Sequence, residues 1–350
     1  MATAINFDVS KSNNKSHIEN KSYNAIVHNQ EEFLNNTNFL LEDVKREYQE
    51  LSLNDVKDDN KFEHLSSKEK GFYLDEQYVK NNINQKKSLN EISYASRAIE
   101  NAQSNDSYPT DSLSDLFNEV KNSIISGKED YLDVLKDVFS KYMEYIKDLR
   151  EALSTLSQNT IAGSKDGYIH VYFKSFYDEL SKVKDKYQNG TQGDHFFFYH
   201  RVFGQHQDNE QYLRTIDGNK IYYSNEEQLD KALRSIEDLL KGVKGINSYR
   251  NNQSVAPDVD NVFIAVIDFS DLDKFMKEVF DRSKDNKYML QTEFDLFKKT
   301  LDALEKRVNT NLDELSKKYS AANSNYDNFV KIVSSTMNTL LEMAKGFLRF

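Results

Sequence analysis

A mainly α-helical fold with an α+β insert is predicted by three observations. The last segment, from about Asn286 to Phe350, has no proline, a lone glycine (Gly346) near its end, and apolar residues stepping by three and four. A second stripe of the same kind follows Pro109, and a stretch of mixed strand and helix character separates the two. Steps of three and four draw one narrow seam along a helix, and a long helix cannot bury such a seam without a partner of comparable length. The expected architecture is a long antiparallel two-helix coiled coil with a small mixed α/β domain inserted between its helices. An N-terminal helical hairpin domain precedes them. The chain then divides into a disordered lead at 1–28, the hairpin at 29–105, the first coiled-coil helix at 111–162, the insert at 163–284 and the second coiled-coil helix at 285–350.

Residues 1–28 are rich in Asn, Ser and Lys with scattered single hydrophobes, a disordered composition. A helix is expected from Gln30 to about Leu53 on a stripe of Leu34, Leu41, Val44, Tyr48 and Leu51. Two shorter helices follow, Lys68 to Asn82 with Phe72, Tyr73, Tyr78 and Val79, and Leu89 to Ala102 with Leu89, Ile92, Ile99 and Ala102. The polar run Ser104 to Pro109 reads as a linker. Asp111 or Ser112 caps the first coiled-coil helix. Its seam includes Leu135, Val138, Tyr142, Tyr145 and Leu149, while Gly127 on the same stripe marks a kink or a close approach.

In the insert, Asp166-Gly167 turns into a strand at Tyr168 to Phe173, and a helix runs from Lys174 to Gln188, ended by Asn189-Gly190. Phe196 to Phe203 reads as a strand, and Gln211 to Tyr223 as a hairpin folded at Asp217-Gly218. Ser224 with Glu227 makes a capping box for a helix to Gly242. Val262 to Phe269 is a buried strand, and Ser270 caps a helix to Phe280. The last helix carries its seam through Leu312, Leu315, Tyr319, Tyr326 and Phe329, with doubled steps of four at Val308 and Val333 that read as stutters.

Composition excludes several classes. The chain has 350 residues, 29% of them charged, two prolines and a net charge of −11, which suits exposed helices and opposes a nucleic-acid partner. No cysteine is present, so no disulfide or thiolate metal site can form. The longest apolar run, Val262 to Ile267, falls far short of a membrane span, which argues against a membrane-active or pore-forming toxin. The N-terminus lacks the apolar core of a cleavable signal peptide.

Chemistry is sparse. Asp194, His195, His200, His206 and Asp208 form the one catalytic-looking cluster, in an aromatic and His-rich stretch at 194–211. On a strand His195 and His200 face opposite sides and do not converge on a metal. Asp258 to Val262 lacks the glycine and an oxygen ligand of a calcium loop. An enzyme housed in residues 165–280 would need convergent groups that the sequence does not offer. No catalytic residue, metal site or cofactor is therefore assigned. Asn323, Ser324, Asn325, Asp327 and Asn328 are weak helix formers clustered beside the seam of a strong helix, either a solvated face or a hydrogen-bonding docking surface.

The stretch KKYSAANSNYDNFVKIVSS, Lys317 to Ser335, and the terminal AKGFLRF resemble the C-terminus of the needle-tip proteins of type III secretion systems, the hydrophilic translocators of the IpaD/SipD/BipD family. DYLDVLKDVFSKYMEYI with the Asp166-Gly167 turn is similar to that family's first coiled-coil helix and its exit, and IAVIDFSDLDKFM, Ile264 to Met276, to its strand-then-helix step. The resemblance covers Ser112 to the end. It departs in having no tryptophan. It implies a secreted protein at the needle tip, seated as a ring of about five copies on the needle filament subunit. It also implies control of secretion, support for the hydrophobic translocators, and sensing of bile salts in a groove beside the coiled coil. The family signature makes Asn323, Ser324, Asp327, Asn328, Lys331, Ser334 and Ser335 the expected needle-binding face.

Overall fold

A computed structural model of the protein describes residues 64–103, 111–188, 198–203, 212–216, 219–223, 234, 236–251, 259–285 and 288–348, and upstream of these 35–36, 39–40, 42–44 and 46–47. It is mainly helical and forms two compact units. One joins the described part of Met1–Tyr48 with Lys86–Ser123 and Val330–Phe350, and the other joins Gln49–Gln85 with Ile124–Phe329.

Two helices organise the second unit: α3 (Asp133–Gln158) and α6 (Gln291–Leu348). Their contacts run in opposite directions along the chain. The Tyr326 hydroxyl donates to the Ile124 carbonyl at 3.0 Å, the Phe139 and Tyr319 rings lie 5.5 Å apart, and Arg150 hydrogen-bonds Asn309. As one helix advances its partners retreat, which is antiparallel pairing. Leu135, Val138, Tyr142, Tyr145, Leu149, Leu312, Leu315, Tyr319, Tyr326 and Phe329 are all at most 2% exposed. Tyr145 turns its ring toward Tyr187 and Phe269, at 5.4 and 5.8 Å, and so ties the seam to the insert.

The first coiled-coil helix differs from expectation in two ways. It is interrupted: α2 (Asp111–Gly127) passes into a π-helical turn, Lys128–Leu132, before α3 begins. Gly127 therefore marks a wide turn that lets Tyr131 and Leu132 both reach the interior, at 8% and 0% exposure. It also ends at Gln158 and not 162, because Thr160–Ala162 pairs as strand β1 with β2 (Tyr168–Val171). The last helix likewise starts later, since Met289–Leu290 is strand β8 on the other edge of β2. Leu290, a step of four before Phe294 in the apolar spacing, is 41% exposed. Gly167, at φ +79°, makes the turn into β2.

Upstream, the two short helices expected at 68–82 and 89–102 are one helix, α1 (Ser67–Gln103). Ser66 and Glu69 start it with reciprocal side-chain to backbone hydrogen bonds, a capping box. Its inward positions are Lys70, Leu74 and Asn81, whereas Phe72 and Val79 are 65% and 55% exposed. The helix expected at 30–53 is described only at the positions given above, where the backbone is helical and Val44 is buried.

In the insert, α4 (Phe173–Gln188) and α5 (Ser270–Asp285) pack with α3 and α6 around Phe173, Phe176, Phe275 and Phe297. Five antiparallel strands form a second sheet in the order β5-β4-β3-β7-β6. They are β3 (Phe198–Phe203), β4 (Tyr212–Ile216), β5 (Asn219–Tyr223), β6 (Ile246–Asn251) and β7 (Val259–Ile267). The hairpin expected at 211–223 is present, Ile216 pairing with Asn219. Strand β6 was not expected. It follows Gly245, where φ is +80° and an added Cβ would collide with the Tyr142 hydroxyl and the Asn311 amide. The start of α5 is capped by Asp268, whose carboxylate accepts the Ser270 N–H at 2.9 Å; Ser270 itself is the first helical residue. The readings at 1–28, 104–109, Asn189-Gly190, Asp194, His195, His206, Asp208, Asp217-Gly218, Ser224 and Glu227 fall outside the described residues.

Leu135→Asp should lower the melting temperature by an amount equal to several kcal/mol, about 3–5, because it buries a carboxylate where no solvent reaches. Circular dichroism melting checks this, and an unchanged melt would remove Leu135 from the seam.

Candidate functional site

Helix α6 presents two different polar lines beside its seam. Asn323 is fully buried, and Asp327 is half-buried. Asn81 on α1 donates to both the carbonyl and the side-chain oxygen of Asn323 at 2.9 Å, and Asn84 donates to Asp327 at 2.7 Å. Within the first unit, the Ser88 and Ser334 hydroxyls share a hydrogen bond of 2.6 Å. Ser324 and Asn328 in the second unit instead are exposed, four residues apart and so on one side of the helix, and Lys331 and Ser335 in the first unit are exposed at the same spacing. The expected docking residues thus sort into an inner line engaged by α1 and an outer line facing solvent.

The partners on α1 were not recognised from the sequence. Lys70, Leu74, Gln77, Asn81, Asn84 and Ser88 follow one another at steps of four and three, a heptad seam filled with polar residues. A search for apolar periodicity passes over it. The available signal was a polar residue type recurring at seam spacing, Asn81, Asn84 and Ser88, inside a helix with no proline.

Two further contacts hold α1 in the second unit. The Lys70 ammonium meets the Asp313 carboxylate at 2.6 Å with only 8% of the lysine side chain exposed. The Tyr78 hydroxyl donates to Asp133 at 2.8 Å, and Lys128, from the π-helical turn, donates to the same carboxylate at 2.7 Å. Burial opposes the charge on Lys128, yet Asp133 outweighs it and leaves the ammonium more firmly protonated than usual. Lys136 lies over the Tyr78 ring at 4.1 Å.

The seam tyrosines are held neutral. Burial pushes the Tyr131 phenol up to about 12, partly opposed by the Asn325 amide. Burial likewise raises Tyr142 to about 12, and Tyr319 and Tyr326 further. Among the described residues no group of three His, Cys, Asp or Glu side chains could hold a metal ion. His200 lies on β3, opposite Arg214 of β4 and Phe263 of β7.

Between α1 and α3 runs a groove of about 670 Å³ lined mainly by apolar surface. Gly71, Phe72, Met143 and Ile146 contribute to it, with Lys68, Lys147 and Arg150 among its charged neighbours.

A family model described as "Type III secretion systems tip complex components" matches residues 11–348. The chain belongs to this family. Its fold, a long helical pair carrying a small mixed insert, agrees with the sequence reading. This tip-complex component is 23% identical over 247 residues to the cell invasion protein SipD of Salmonella typhimurium, across 69% of this chain and 64% of SipD. It is 24% identical over 242 residues to the invasin IpaD of Shigella flexneri, across 67% of this chain and 60% of IpaD. The matched spans therefore cover less than two thirds of those relatives. A solved structure, the pathogenicity island 1 effector protein of Chromobacterium violaceum, aligns over 91% of this chain and 98% of its own, at 16% identity and a TM-score of 0.44. No helix among the described residues is long and apolar enough to cross a membrane.

Asn81→Ala should destabilise the protein by about 1–3 kcal/mol, since it leaves the buried Asn323 side-chain oxygen without its Asn81 donor. Urea denaturation measures this. A loss below about 0.5 kcal/mol would show that the α1–α6 contact does not contribute to the folded state.

Proposed function

We propose that this tip-complex component caps the needle filament of a type III secretion apparatus as a ring of about five copies. From there it controls secretion and supports entry of the hydrophobic translocators into a host membrane. The observation that carries this reading is the division of the polar residues on α6. Ser324 and Asn328 are exposed to a partner, while α1 engages Asn323 and Asp327. Short polar side chains on a rigid helix can hydrogen-bond a filament subunit without disturbing the seam beneath. Helix α1 then acts as a cover: it screens the inner line in the free protein and limits self-association before assembly. Because it buries only Leu74, Ile92 and Ala95 as apolar side chains beside its hydrogen bonds and ion pair, its release costs less than opening the longer α3–α6 seam.

The test uses exposed positions only. Ser324→Arg with Asn328→Arg should leave the melt unchanged and abolish labelling of isolated needles by an antibody against this protein. Normal decoration would move the docking face elsewhere.

The groove between α1 and α3 supports bile-salt sensing. Its apolar lining matches a steroid face, and Lys68, Lys147 and Arg150, which outnumber Asp75 and Glu144 in the same lining, suit an anionic tail. Phe72→Glu, at a position 65% exposed, should weaken binding of a bile salt about tenfold or more by isothermal titration calorimetry while keeping the fold. Equal binding by both proteins would exclude this groove.

A further inference from the structure

The small sheet β1-β2-β8 has two unlike faces. One looks inward, where Val171 and Met289 are 2% and 8% exposed and Phe173 continues the line at 7%. Register places Ile161 opposite His170 and Tyr168 opposite Leu290. Alternation then gathers Ile161, Tyr168, His170, Tyr172, Tyr288 and Leu290 on the other face. The Tyr172 and Tyr288 rings close on His170 at 4.7 and 5.2 Å. Apart from half-buried His170, these side chains are 38–51% exposed. A two-layer sheet normally turns polar residues to water; this one turns three tyrosines, an isoleucine and a leucine.

We propose that this aromatic face docks on a zwitterionic lipid surface. Size is the first argument. The exposed apolar area is on the order of 400 Å², within the range of a functional patch but about half of what each partner of a stable dimer buries. Chemistry is the second. Tyrosine has an apolar ring and a polar tip, and settles at headgroup depth with aliphatic side chains beneath it. Charge is the third. None of the six side chains is Asp, Glu, Lys or Arg, the adjoining turn carries one lysine and one aspartate (Lys165 and Asp166), and the whole chain is at −11. Such a protein is repelled by an anionic bilayer and approaches a neutral one. Position is the fourth, and it rests on the proposed function. Strand β8 leads directly into the N-terminal end of α6, about 50 Å along the helix from Ser324. A chain seated on a needle through Ser324 and Asn328 carries this face at the far end. The contact is superficial, and a ring multiplies it.

The chain has no tryptophan, so Tyr288→Trp provides a single reporter inside the face. Phosphatidylcholine vesicles should shift its emission to the blue, and the unlabelled protein should float with the same vesicles. Mixed phosphatidylcholine and phosphatidylserine vesicles should bind more weakly. Adding Tyr168→Ser and Tyr172→Ser should reduce partitioning at least about tenfold with an unchanged circular dichroism melt. No shift and no flotation with phosphatidylcholine would overturn the proposal. So would a shift that follows protein concentration without vesicles and is lost in the serine variants, because it would mean that the face pairs copies of the chain. The assay needs no needle. A protein that decorates needles but ignores vesicles defeats this inference alone, and the reverse outcome defeats only the docking reading.

Discussion

Burial of one aromatic and aliphatic stripe governs this molecule. Tyr319, Tyr326 and Phe329 on α6 and Leu135, Val138 and Tyr142 on α3 are each at most 2% exposed, and neither helix could bury them alone. Antiparallel pairing follows from the need to cover both stripes along their length. The insert is then a long connection whose own elements must return to the seam. Tyr145 meets Tyr187 and Phe269, and Gly245 passes so close to Tyr142 that no side chain fits there.

Against this apolar seam α1 makes a contact of another kind. Its buried side chains are both polar and apolar, Lys70, Leu74, Asn81, Ser88, Ile92 and Ala95, and the polar ones are joined to Asp313, Asn323 and Ser334 by directed hydrogen bonds and an ion pair. Directed polar contacts fix a register sharply but add little net stability, and they respond to salt where charges take part. The protein thus combines a seam that is hard to open with a neighbour whose position is specific and whose hold is moderate.

Legibility followed chemistry. The α3 and α6 stripes were readable because every third or fourth residue is apolar over many turns. The pairing of β4 with β5 was readable because the sequence has turn residues, Asp217-Gly218, between two alternating runs. Helix α1 was misread as two helices because its seam positions include Asn81, Asn84 and Ser88, which look like a break until Asn323, Asp327 and Ser334 are seen opposite them. Strand β8 was absorbed into the last helix because Leu290 continues the helical spacing, and β1 into the first because no proline or glycine stands between Leu156 and Ala162; only pairing with β2 separates them. The proposed docking residues on α6 were visible as a cluster. Their division into an inner and an outer line was not, because it depends on where α1 lies.

Chain separation within the second unit also sets an order of assembly. The Tyr78–Asp133 contact spans 55 residues, whereas Ile124 and Tyr326 are 202 apart. A growing polypeptide can therefore dock α1 onto α3 while α6 is still unmade. During that interval the half-finished seam already has one neighbour on its flank. A polar heptad suits a companion of this kind: it can shield the nascent stripe from other chains without filling the place reserved for the helix that arrives last.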